Sequence, residues 1–392
     1  MQFALPNPVS MHPSKLLPSS TILIAFATAI LAMLATFSMA PARAATAGTL
    51  VIGQVIDLSG PNGAIGRDYV AGMRTFFDRA NQSGGVGGKK VELVVLDDKG
   101  DAAAAAQAAA QLILQQRVQF LFGGIGEETT RAITSSAAFR NSGLMLYAPL
   151  GVAASSPKVA LWRPRHELEL AYLLNYFQKI GITSVALAMQ NGNLQQDMHR
   201  RALSMLKHNK MQHKGSWTLA TEPAELTRQA RQIAGSAPGV VIVLGDSLEI
   251  GMFLKAYRPV SRAGYIAGTS LVNLPTLQEV AGAKNLAWTV FSQVVPDAYS
   301  SKSRLQKEHA AMMDRFRDEP VSSLTLEGYA AAKTLAAAIE KKMVTQQQGV
   351  QSLGIRPGID LGGFIVKSAS PEDGLSSWFD MALIGKDGQL RF

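Results

Sequence analysis

The residues of this chain that could do chemistry sit in four short loops, each placed between an apolar run and a helical pattern. The first is Leu58-Ser59-Gly60-Pro61-Asn62-Gly63-Ala64-Ile65-Gly66. Small residues let a ligand approach the backbone, and the helix that follows offers free N–H groups to an anion. Ser59, Gly60 and Asn62 are its candidate ligand residues. The spacing is G-x-x-G-x-x-G rather than the dinucleotide G-x-G-x-x-G, which argues against a nucleotide. The second loop, Gly123 to Thr130, is also glycine-rich at a helix start, but Glu127 and Glu128 would themselves compensate the helix dipole and repel phosphate. Two readings stay open. Both acids are solvated residues of the first turn, or one faces a ligand cleft and favours a cationic or neutral polar ligand. In the second case a ligand carboxylate ~4 Å away would lose about 4 kcal/mol at an effective dielectric of ~20. The third loop carries Gly151 and Val152, and the fourth is Gly245-Asp246-Ser247.

Constellations for catalysis are missing from the sequence. His166, His199, His208, His213 and His309 form neither H-x-x-x-H nor H-E-x-x-H, and there is no G-x-S-x-G elbow. With no cysteine there is no thiolate chemistry and no disulfide. Asp97, Asp98 and Asp101 read as strand-end and helix-cap residues rather than a metal cluster. The expectation is a chain without catalytic residues, cofactor or metal.

The elements that must position these loops alternate. Strands are expected at Leu50–Ile56, Val91–Leu96, Val118–Phe122 and Leu144–Tyr147, with helices at 67–81, from Asp101 to about Gln116, and at 129–140. The rhythm resumes with helices at 167–180, 196–207, 226–234 and 248–257 and strands at 184–189, 240–244 and 264–267. Two α/β units, each a mostly parallel sheet flanked by helices, therefore stand side by side, joined near Leu161–Arg165. Helices at 300–316 and 327–342 pack onto an existing sheet. The tail reads as two strands, 364–366 and 379–384, with a turn at Gly385-Lys386-Asp387-Gly388.

Thr21 to Phe37 is an uncharged apolar run of 17 residues, followed by Ala42-Arg43-Ala44. This is the pattern of a secretory signal peptide over residues 1–44, and it predicts a periplasmic protein. Removing it from 392 leaves 348 residues, enough for two domains. A hydrophobic share of 47% with 17% charged residues describes a globular chain. The net charge is +9, but Lys and Arg are dispersed and lack interleaved aromatics, so nucleic acid is not an expected partner.

The order of these pieces resembles the type I periplasmic solute-binding proteins, in the leucine/isoleucine/valine-binding branch that serves ABC importers. Gly60-Pro61 with Gly66 is similar to the family's first ligand loop. Asn81-Gln82-Ser83-Gly84-Gly85-Val86-Gly87-Gly88-Lys89 followed by Asp97-Asp98 is similar to its glycine turn, strand and acidic pair. Gly328-Tyr329-Ala330-Ala331-Ala332-Lys333-Thr334-Leu335 resembles its late helix, and the Gly385–Gly388 ending also fits. The resemblance implies two lobes closing on a ligand, 45–163 with 298–342 and 164–297 with 343–392. It implies three crossovers, near 161–165, 294–299 and 342–358. It implies a monomer that captures a small amino-acid-like ligand and hands it to a membrane permease. The alternative is a sensory binding protein that reports to a membrane kinase or chemoreceptor. The family's hydroxyls transfer poorly. Thr129 is the nearest one in the second loop, Val152 replaces one in the third, and Asn191-Gly192-Asn193 replaces a tyrosine-glycine. Arg163 or Arg165 could supply an anion partner instead.

Overall fold

A computed structural model describes residues 48–152, 156, 158–341, 358–367, 373–386 and 390–392. The expected signal peptide and most of the segment 342–358 lie outside the described residues. Among the described residues no helix is long and apolar enough to cross a membrane.

The first lobe is a parallel five-stranded sheet in the order β2-β1-β3-β4-β5. Its strands are β1 (Thr49–Ile56), β2 (Lys90–Asp97), β3 (Phe120–Phe122), β4 (Leu146–Tyr147) and β5 (Val159–Ala160). Helices α1 (Gly63–Gln82), α2 (Ala102–Leu114), α3 (Glu127–Ser135) and α4 (Ala137–Ser142) connect them. β1 shows why the sheet is covered on both sides. Leu50, Ile52 and Ile56 enter one hydrophobic cluster while the alternate residues Val51 and Val55 enter another. The helix expected at 129–140 is broken in two. Ser136 adopts extended backbone at ψ 146° and its hydroxyl accepts from Phe139 N, restarting the helix.

The second lobe is a seven-stranded sheet in the order β14-β13-β10-β9-β8-β6-β7. β6 (Ser184–Met189), β7 (Gln212–Thr218), β8 (Val240–Leu244), β9 (Tyr265–Gly268) and β10 (Thr289–Gln293) are parallel, while β13 (Asp380–Ile384) and β14 (Leu390–Arg391) are antiparallel additions. The helices are α5 (His166–Lys179), α6 (Asn193–His208), α7 (Pro223–Gly235), α8 (Ser247–Tyr257) and α9 (Leu274–Ala281). β8 repeats the pattern of β1, with Val241 and Val243 in one cluster and Val240, Ile242 and Leu244 in the other. β7, α9 and β10 are elements that the sequence reading did not name.

Helices α10 (Arg304–Phe316) and α11 (Ser323–Glu340) return to the first lobe. α11 lies against α1 at backbone contact. A Cβ on Gly72 would sit 1.9 Å from Thr325 O, and one on Gly328 would sit 2.0 Å from Tyr69 O. The glycine that opens the late-helix motif is there for this approach.

The tail departs from expectation. Ile365–Val366 (β12) pairs with Ile359–Asp360 (β11) in a small hairpin of its own, not with the strand at 380–384. Ile359, Leu361, Phe364, Val366 and Leu375 belong to the first-lobe core, so the lobe boundary drawn at 343 is corrected for this stretch. The last crossing therefore follows residue 366 rather than falling at 342–358. It runs beside the first crossing, with Leu375 N on Leu161 O and Ser376 N on Trp162 O, both at 2.9 Å.

Candidate ligand-binding cleft

Each parallel sheet reverses its strand order once, at β1/β3 in the first lobe and β6/β8 in the second. Loops leaving such switch points diverge and leave a crevice beyond the strand ends. Here the two crevices face one another across a cleft of ≈ 320 Å³. Pro61 and Asn62 reach it from the loop after β1, Ile65 from the first turn of α1, Ile125 and Gly126 from the loop after β3, and Gly151 from the loop after β4. Across from them stand Gln190 and Asn191 after β6, Gly245 and Asp246 after β8, and Thr269 and Leu271 after β9. His166 of α5 and Gln195 and Met198 of α6 complete that side.

The first loop is held by carboxylates. Asp57 accepts from Gly60 N and Asn62 N. Asp97 accepts from Leu58 N, Lys99 N and the Ser59 hydroxyl. Backbone and hydroxyl donors keep the Asp97 carboxyl below its usual range, although burial opposes them. Asp98 accepts from Gly100 N, and burial lifts it to about 6. One oxygen from each of Asp57, Asp97 and Asp98 lies within 4.8 Å of the others. Five backbone N–H groups and the Ser59 hydroxyl donate to five of the six carboxylate oxygens, so the cluster works as a loop clamp. Asp101 caps α2 by accepting from Ala104 N.

The predicted site residues divide. Asn62, Gly151 and Asp246 border the cleft. Ser59 and Gly60 belong to the clamped turn behind it. Thr129 is buried, and its hydroxyl is spent on Ile125 O and Gly126 O. Val152 packs into the first-lobe core. Glu127 and Glu128 open α3 without bordering the cleft, and Glu128 is exposed. Both acids belong to the first turn of α3. Asn193 is the first residue of α6. Arg163 and Arg165 have other duties. Arg163 makes a bidentate contact to Glu327, 3.0 Å at each oxygen, and donates to Ser270 Oγ at 2.8 Å. Arg165 pairs with Asp373 and Glu167.

Four of the helix starts at the cleft share a feature absent from the other helices. Among the described residues, α2, α4 and α7 to α11 all begin with a side chain accepting from a first-turn N–H. α1, α3, α5 and α6 have no such cap. Asn62, Gly126, His166 and Asn191, at or beside those four starts, all border the cleft. Gly126 holds φ 102° and ψ 155°, backbone that only glycine adopts without strain. Of the second-lobe starts, α8 alone is capped at the cleft, by Asp246. Its Oδ1 takes Leu248 N and Glu249 N, and its Oδ2 takes Gln190 Nε2 at 3.1 Å.

Residues 49–363 match the periplasmic binding protein family. The chain belongs to that family. This binding protein is 23% identical to the Leu/Ile/Val-binding protein BraC3 of Rhizobium johnstonii over 335 residues, 83% of this chain and 88% of the relative. In fold it is similar to an extracellular ligand-binding receptor from Verminephrobacter eiseniae. That TM-score is 0.80 at 21% identity, covering 88% of this chain and all of the other. It is likewise similar to the branched-chain amino acid transporter substrate-binding protein LivJ from Streptococcus pneumoniae, solved with isoleucine, at TM-score 0.74 and 18% identity, covering 88% and 98%.

Sequence reasoning passed over Gln190, Gln195, Thr269, Leu271 and His166 as cleft residues. The available signal was the switch-point rule applied to the second unit as strictly as to the first. It required β7, whose polar sequence Gln212–Thr218 hides the reversal of strand order.

Proposed function

We propose that this protein is an exported periplasmic receptor that captures a small amino-acid-like solute between its lobes and delivers it to the permease of an ABC importer. It acts as a monomer and by binding, not catalysis. The observation that carries this reading is the convergence of all four uncapped α-helix starts on one cleft. Such ends leave backbone N–H groups open and favour negative charge, which suits a ligand carboxylate. Asp246, on the opposite side, suits a ligand ammonium. A zwitterion of amino-acid size meets both demands at once. The family, a Leu/Ile/Val-binding relative and a structural neighbour solved with isoleucine support the same class of ligand.

The test is a thermal-shift screen of the purified protein with α-amino acids, amides, ureas and aromatic acids. A true ligand at a hundred times its Kd stabilises the native state by about 2.7 kcal/mol and raises the melting temperature. Small-angle scattering with that ligand should show a more compact particle, because capture favours the closed arrangement. A screen in which no α-amino acid or amide shifts the melting temperature overturns the reading.

A further inference from the structure

His166 is the first residue of α5, 4% exposed, and its ring borders the cleft. Its two nitrogens have different surroundings. Nδ1 lies 3.3 Å from Glu169 Oε2, an electrostatic contact that orients the ring. Nε2 is buried with no hydrogen-bond partner among the described residues. Glu169 cannot move to serve it. Its Oε1 accepts from Ser270 N and Ser292 Oγ, both at 2.7 Å, and it is fully buried. Burial alone would raise its pKa, but the His166 contact, Arg163 and Ser270 together bring it down to about 2. The contact with Glu169 fixes which way the ring faces and leaves Nε2 as the nitrogen without a protein partner among the described residues. Buried polar atoms left unpaired are uncommon, and one carried by a cleft residue can be served by a polar group of a ligand.

We infer that His166 Nε2 is a specificity-determining ligand contact, and that the solute carries a hydrogen-bonding group of the amide or hydroxyl class where a branched-chain amino acid carries methyl groups. This rests on the receptor reading above and narrows its ligand. The surroundings agree with it. Gln190, Asn191, Gln195, Asp246 and Thr269 line the same side of the cleft. An aliphatic branch at this place would bury Nε2 without a partner. A hydrogen-bonding group there satisfies it.

L-Asparagine and L-leucine form the discriminating pair, since their side chains have nearly the same shape and differ in polarity. Calorimetric titration of the purified protein should give asparagine roughly ten- to a hundredfold the affinity of leucine, the usual cost of a buried polar group left unpaired. His166→Leu should abolish that preference, and His166→Gln, which keeps a polar atom and similar reach, should retain part of it. Melting curves without ligand establish that each variant is folded; if His166→Leu is not, the wild-type ratio and His166→Gln decide. Leucine binding as tightly as asparagine, or a preference for asparagine that His166→Leu leaves intact, overturns the inference while the receptor reading stands. Binding of neither probe at 10 mM, together with a blank amino-acid and amide screen, overturns both.

Discussion

On the first-lobe side of the cleft the side chains are mainly apolar, Pro61, Ile65 and Ile125, and apart from Asn62 polarity comes from backbone at Gly126, Gly151 and the uncapped starts of α1 and α3. On the second-lobe side it comes from side chains: His166, Gln190, Asn191, Gln195, Asp246 and Thr269, with Met198, Leu244 and Leu271 between them. The difference separates two tasks. Backbone N–H groups at a helix end recognise any ligand that brings an anion, because every residue type has them. Side chains discriminate, because each offers a particular donor or acceptor in a fixed place. The first wall is suited to holding the common part of a ligand class and the second to choosing among its members.

The strongest way to break this comparison is to disconnect the walls. Arg163 lies in the first crossing, is 2% exposed, and joins Glu327 of α11 to Ser270 beside the second wall. Burial would lower its pKa, but Glu327 and Glu169 hold it up. Glu327→Leu strands a buried cation and should cost about 3–5 kcal/mol, read as a lower urea midpoint. Adding Arg163→Met should recover most of that loss. A double variant as unstable as the single one would show that packing, not charge, is at stake.

Acid titration sharpens the comparison, since the two walls rest on carboxyls shifted in opposite directions. Glu169, behind His166, is depressed from 4.5 to about 2. Its contribution is complete above pH ~4.5 and is lost as pH falls towards 2, a change on the order of 3 kcal/mol. Asp98, under the first loop, is raised to about 6, so it favours the native state at low pH and that advantage fades as pH rises through 6. Glu169→Gln should therefore flatten the acid side of the stability profile. An unchanged acid limb in that variant would remove Glu169 from the account.

The smallest effect concerns the acids that open α3. Because Glu127 and Glu128 do not border the cleft, Glu127→Gln and Glu128→Gln should each change ligand affinity by less than about threefold, within the range of surface electrostatic effects. A tenfold change in titration calorimetry would place a carboxylate at the ligand after all and undo the division between the walls.

Much of the architecture was legible in the sequence because its signals are local. The apolar run Val240–Leu244 is a strand wherever it is placed, and Asp101 ahead of an alanine tract caps a helix by its own geometry. Gly60, Gly126, Gly151 and Gly245 marked where backbone turns beyond strand ends, so four of the cleft's loops were found. What failed was whatever depends on a partner distant in sequence. β7 is polar and becomes a strand through pairing with β6. Ile365–Val366 takes its partner from Ile359–Asp360 rather than from the strand that follows. Thr129 carries the hydroxyl a ligand would want, but helix geometry turns it back onto Ile125 O and Gly126 O. His166 could be read from the sequence only as one histidine among several. Its significance arises when Glu169, Ser270 and Ser292 are brought together, fixing one ring nitrogen and leaving the other beside the cleft. Sequence determines which segments bury apolar faces, since periodicity and local hydrogen bonding set that. Only the tertiary structure decides which polar atoms are left without a partner, since that is settled by every neighbour the fold supplies.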